Sequence, residues 1–114
     1  LTELMHRYEG GKIAVAPVSL SLMDEAGATE EDMEDIAAFL GQIEGVETSV
    51  TIRELAEGGC KLSVRTSGGL NATKVCALLG GGGHAAAAGC TVSGTLVEAE
   101  AAILDAIRQV EARA

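Results

Sequence analysis

The chain has 114 residues, 47% of them hydrophobic, and a net charge of −9. That is the size of one domain with a real core, too apolar for a disordered chain, and its apolar runs fall far short of the roughly 20 residues that span a membrane. A charge of that sign excludes a general nucleic-acid binder, which needs a basic footprint.

No signal or transit peptide is visible. Because the chain begins at Leu1, without an initiator methionine, it is expected to be a fragment of a longer protein. Residues 1–11 read as a linker and the tail of an incoming helix, broken by Gly10 and Gly11. Lys12 to Val18 (KIAVAPV) reads as a buried strand with Pro17 near its end. Residues 19–28 read as a loop. Thr29 then opens a helix: its hydroxyl can cap the first turn, and Glu30, Glu31 and Asp32 suit the positive end of the dipole. Met33, Ile36, Ala37 and Leu40 fall at helical spacing, with Gly41 as the stop.

Val46 to Leu55 alternates, with Val46, Val50 and Ile52 on one side and Glu47, Ser49, Thr51 and Arg53 on the other. Ala56 to Gly59 turns the chain, and Cys60 to Arg65 alternates again, which predicts a hairpin. A period of two puts Lys61, Ser63 and Arg65 on one face of the second strand. Asn71 can cap a short helix ending near Leu79. Ala87 to Val92 reads as a last strand. Thr95 and Glu98 form a capping box for a final helix with Val97, Ile103, Leu104, Ile107 and Val110 as its apolar stripe. The elements predict an α/β fold: a single domain with a mixed central sheet flanked by helices.

Charge is unevenly placed. Residues 1–57 hold 13 of the 17 acids, and residues 58–97 hold none. That acid-free stretch carries Lys61, Arg65, Lys74, His84 and 10 of the 15 glycines, which points to an anion site. Cys60, Cys76 and Cys90 are odd in number, widely spaced and set among apolar residues. With no C-x-x-C pair they read as small buried hydrophobes in a reducing, cytoplasmic compartment, not as zinc ligands.

The unusual segment is Gly80–Gly89, GGGGHAAAAG. Four consecutive glycines sacrifice backbone entropy and contribute no side-chain packing. They suit a place where main chain approaches a ligand and N–H groups cradle an anion, with His84 donating beside them. A flexible loop with a surface histidine fits the composition equally well. No Gly-Lys-Ser/Thr follows, so it is not a P-loop.

Lys61-Leu62-Ser63-Val64-Arg65, Asn71, Gly80-Gly81-Gly82-Gly83-His84 and Ala87-Ala88-Gly89-Cys90, in this order and spacing, resemble the C-terminal DHH-associated domain of DHH-family phosphoesterases, with nano-RNases that also act as phosphoadenosine-phosphate phosphatases the nearest look. The resemblance covers essentially the whole chain. It implies an enzyme of two domains. The N-terminal one would carry an Asp-His-His motif and two metal ions, usually manganese; the C-terminal one would hold a short RNA or nucleotide across a cleft. This chain has no Asp-His-His, so the resemblance implies a binding half without catalytic or metal-ligating residues, inactive alone and partnered by a DHH domain of the same protein.

Residue by residue, the resemblance assigns substrate binding to Ser63, Arg65, Thr66, Gly81, Gly82, Gly83 and His84. Arg65 would meet phosphate, for which a guanidinium fork is suited. Thr66 stands where serine is common, and Ala85 and Ala86 replace a polar pair, often Lys-Asn. Lys61 and Lys74 read as solvated lysines and Asn71 as a cap. Two other readings share the loop and the fold: a domain acting on polyphosphate or cyclic-dinucleotide products, and a non-catalytic RNA- or nucleotide-binding module such as the one appended to alanyl-tRNA synthetases. A base-stacking platform fits poorly, because Tyr8 and Phe39 are the only aromatics and both lie outside residues 58–97.

Overall fold

The computed structural model describes residues 5–27 and 29–113. Six strands form one mixed sheet: β1 (His6–Tyr8), β2 (Ile13–Val18), β3 (Thr48–Glu54), β4 (Cys60–Thr66), β5 (Gly82–His84) and β6 (Ala87–Val92). Their order across the sheet is β1-β2-β3-β4-β6-β5. The β2–β3 pair is parallel and the others are antiparallel. A parallel pair needs a crossover, and α1 (Leu20–Ala26) and α2 (Glu30–Gly41) supply it. Two further helices, α3 (Ala72–Ala77) and α4 (Leu96–Arg113), complete the α/β fold expected from the sequence.

Alternation along the strands decides which helix packs where. Ile13 and Val15 of β2, Val50 and Ile52 of β3, and Cys60, Leu62 and Val64 of β4 share one face. They meet Val75 and Cys76 of α3 and the Ala99, Ile103, Ala106 and Ile107 stripe of α4 in the main core. On the opposite face β2 carries Val18 at its end and, before it, Ala14 and Ala16, small enough for α2 to approach and seat Leu40. Val46 belongs to this second cluster and not with Val50 and Ile52, because it precedes the strand and escapes its alternation.

Capping chemistry holds as read. Thr29 and Asp32 make a reciprocal capping box, Asn71 accepts from the Lys74 amide, and Thr95 and Glu98 close the start of α4. All three cysteines are buried. The hydrogen bond that the Cys76 thiol donates to Cys90, then burial, pushes Cys76 far above the ordinary thiol range.

Besides Val46, four readings need correction. The N-terminal segment is a strand where it is described, since His6–Tyr8 pairs with Ile13–Val15; residues 1–4 lie outside the described residues. Residues 20–26, read as loop, form α1 under a Ser19 cap, whose oxygen accepts from the Leu22 amide at 3.1 Å. Val97, assigned to the buried stripe of α4, is 80% exposed. In its place the helix buries Glu100, whose carboxylate accepts from His6 Nδ1 at 2.8 Å and from the Tyr8 hydroxyl, tying α4 to β1.

The glycine run, read as a loop, is in part an edge strand: Gly82, Gly83 and His84 pair with Gly89, Ala88 and Ala87, and Ala85–Ala86 make the turn. Two of its glycines are sterically obligatory. A Cβ on Gly81 would lie 2.2 Å from the Gly89 carbonyl oxygen and 2.5 Å from Cys90 Cβ. One on Gly83 would lie 2.6 Å from Ala88 Cα, at a φ of +151°. Gly82 differs: a Cβ there meets nothing within 4 Å, and its φ is outside the left-handed region.

Gly81→Ala and Gly83→Ala should therefore destabilise by about 1–3 kcal/mol, on the order of 5–15 °C in Tm, because backbone must move. Gly82→Ala should melt at or slightly above the wild-type temperature; thermal melts of the three variants check this. The Tyr8 phenol gives a second expectation. Its bond to Glu100, then burial, pushes it up to about 12 from 10.0. The folded state thus keeps a proton that the unfolded chain releases first. The stabilising contribution is complete below pH 10 and is lost as the pH rises from there to about 12. Denaturation midpoints measured across that window should fall more steeply for wild type than for Tyr8→Phe.

Candidate functional site

The face of the sheet opposite the main core carries a grid set by register. Arg65 on β4 stands across from Ala87 on β6, which stands across from His84 on β5. The neighbouring row is Ser63, Gly89 and Gly82. Next to that, Lys61 pairs with Thr91. Arg65 and His84 are thus on one face, two strands or about 10 Å apart at the backbone. Between them lies a floor of Ala87, Gly89 and Gly82 with no side chain larger than a methyl. Helix α2 packs over β3 and β4 and does not extend to this floor, so Gly82, His84 and Ala87 are exposed. The result is an open shelf with a cation at one end and an imidazole at the other.

Each end is held differently. Arg65 sits mid-sheet, between β3 and β6, where the ladder fixes its Cα. Its Nη2 donates to Glu34 Oε2 of α2 at 2.5 Å, with the two side chains 40% and 67% exposed. The acid-free stretch is therefore acid-free in sequence but not in space. His84 closes the edge strand. Its position depends on the Ala85–Ala86 turn, which is anchored from three directions. The Ala72 amide donates to the Ala85 carbonyl at 2.8 Å, the Thr66 hydroxyl donates to the same oxygen at 3.3 Å, and the Thr66 amide donates to Ala86 at 2.9 Å.

The seven residues singled out from sequence fall into three groups. Arg65, Ser63, Gly82 and His84 share the shelf face. Thr66, one residue beyond Arg65, points to the other side of the ribbon and uses its hydroxyl on the turn. Gly81 and Gly83 pack closely under β6 and let the edge strand form. The Gly82–His84 backbone is extended and not the tight amide-lined turn envisaged from four consecutive glycines. Lys74 lies on α3, where it lines a separate groove with Arg113. Sequence reasoning missed Glu34. It is 31 residues from Arg65, and its only signal was helical phase: it follows the buried Met33 on α2.

Among the described residues no group of three or more His, Cys, Asp or Glu could hold a metal ion, so no metal step is assigned to this chain. No helix among them is long and apolar enough to cross a membrane.

The chain is 41% identical, over 98 residues and 85% of its length, to the bifunctional oligoribonuclease and PAP phosphatase NrnA of Thermus thermophilus, of which it covers 30%. Its fold superposes on an exopolyphosphatase-related protein from Bacteroides fragilis with a TM-score of 0.85 at 25% identity, covering 95% of this chain and 32% of that one. It also superposes on the pGpG-specific phosphodiesterase PggH of Vibrio cholerae with a TM-score of 0.62 at 17% identity, covering 97% and 36%; that likeness concerns fold alone. The chain thus spans about a third of the length of these proteins. Residues 10–113 match the DHHA1 domain family, and the chain belongs to that family of DHH-associated domains.

Proposed function

We propose that this chain is the substrate-binding domain of a larger phosphoesterase and that the shelf holds a short oligoribonucleotide or nucleotide. The observation that carries this reading is the in-register placement of Arg65 and His84 on either side of a floor without side chains. Arg65 would take a phosphate oxygen pair with its guanidinium fork, His84 would donate to a second phosphate or a sugar hydroxyl, and Ser63 offers a hydroxyl beside Arg65 on the same strand. Sugar and base would lie on Ala87, Gly89 and Gly82, close against backbone. The similarity to an oligoribonuclease and PAP phosphatase supports a ligand of this class. Polyphosphate would suit the two ends but leave the floor unused, so the floor favours a nucleotide.

The scissile phosphate would face outward from the shelf toward a second domain. Metal-dependent cleavage, with manganese as the expected ion, would belong to that domain, because among the described residues no group of three or more His, Cys, Asp or Glu could hold a metal ion. Alone, the chain would bind and not turn over substrate. Gly82 has a specific part in this reading. The fold tolerates a side chain there, so its bareness serves the ligand.

Titrating a labelled short oligoribonucleotide tests the reading. Arg65→Ala should weaken binding about 10- to 100-fold, the value of a charge-assisted contact. His84→Ala should cost less, because it removes a single hydrogen bond. Gly82→Val should weaken binding while leaving Tm unchanged. Lys12→Ala, away from the shelf, should bind as wild type; equal binding by Arg65→Ala and Lys12→Ala would overturn the assignment.

A further inference from the structure

Arg65 does not meet its ligand as a free cation. Its guanidinium gives one nitrogen, Nη2, to Glu34 and has further donors to offer. Glu34 is carried by α2, which is seated on the sheet through Met33, Ala37 and Leu40, so its carboxylate is tethered beside the shelf whatever else binds there. Glu47, which lines the notch beside Arg65, instead packs a carboxylate oxygen against Gly68.

We propose that Glu34 is a specificity-determining residue: it tilts the shelf toward singly charged phosphodiester linkages and against doubly charged phosphate ends. The inference rests on Arg65 being the phosphate contact. An anion arriving at Arg65 either displaces Glu34 or shares the guanidinium with it. Displacement costs every ligand the same, and little, since both partners are well exposed. In either case a carboxylate remains several ångströms from the bound phosphate, and its repulsion grows with the charge of the ligand. A phosphodiester carries one charge, whereas a terminal phosphate carries close to two at neutral pH. The end of a strand is therefore penalised about twice as much as its interior linkage.

Nuclear magnetic resonance titrations of the chain with adenosine monophosphate and with the dinucleoside monophosphate ApA, at about pH 7.5 and low salt, separate the possibilities. Glu34→Gln should tighten both ligands, and should tighten the monophosphate by roughly two- to fivefold more than ApA. That difference should shrink in high salt. If Arg65→Ala weakens both ligands while Glu34→Gln affects them equally, or weakens the monophosphate, this proposal fails and the shelf assignment stands. If Arg65→Ala leaves both unchanged, or wild type binds neither, the shelf assignment fails and this proposal with it.

Discussion

The register of β4 is the constraint on which the rest of the molecule depends. It is flanked by β3 and β6, so its pleat is pinned from both sides. One parity places Cys60, Leu62 and Val64 in the main core, all with no exposed surface. The other parity places Lys61, Ser63 and Arg65 on the opposite face. A slip of one residue would bury Arg65 and expose Leu62, an exchange no core of this size could absorb. The hydrophobic term that stabilises the fold is therefore also what aims the arginine. The shelf needs no separate device to orient Arg65, because misplacing it would mean unfolding the core.

Across the shelf the problem is reversed. His84 lies on a three-residue edge strand with no hydrophobic side chain of its own. What holds it is backbone: the pairing with β6 and the anchors on the Ala85–Ala86 turn. Gly81 and Gly83 permit that close packing, whereas Gly82 contributes nothing to it that alanine could not. A run of four glycines thus serves two ends. Some are there so that the strand can form, and one leaves the floor open.

The legible parts of the sequence were those where local pattern and tertiary packing agree. β2, β3, β4 and β6 show apolar runs or alternation, and α2 and α4 carry caps as well as periodicity, so each could be placed to within a residue or two. β1 could not be read, because three mostly exposed residues carry no pattern and owe their conformation to pairing with β2. β5 was hidden for a stronger reason: glycine is among the poorest strand formers, and only the fit under β6 overrides that preference. At the site, the period of two put Arg65 and Ser63 on a common face from sequence alone. Thr66 and Arg65 looked equivalent in the motif, but their opposite parity separates their roles. Glu34 was missed because its one signal, helical phase beside the buried Met33, does not say which strand residue the acid will meet.

That acidic helix bears on how a chain of net charge −9 would hold the proposed anionic ligand. Net charge matters at ranges beyond the screening length, about 8 Å at physiological ionic strength, so distant carboxylates slow the approach of a nucleic acid more than they weaken its contact. What counts at the shelf is the first few ångströms. There the Arg65 guanidinium meets the Glu34 carboxylate, with Arg53 and Lys61 lining the notch beside Glu34 and an imidazole at the far edge. Such a site has little long-range attraction for a polyanion and depends on close fit. It is suited to a small ligand that touches backbone and floor as well as charge. A long duplex, which binds mainly through its summed phosphates, would find here almost none of the counterion-releasing surface it requires. On the proposed reading, the acidic surface and the bare glycine floor would select in the same direction, toward short, flexible, phosphate-bearing molecules.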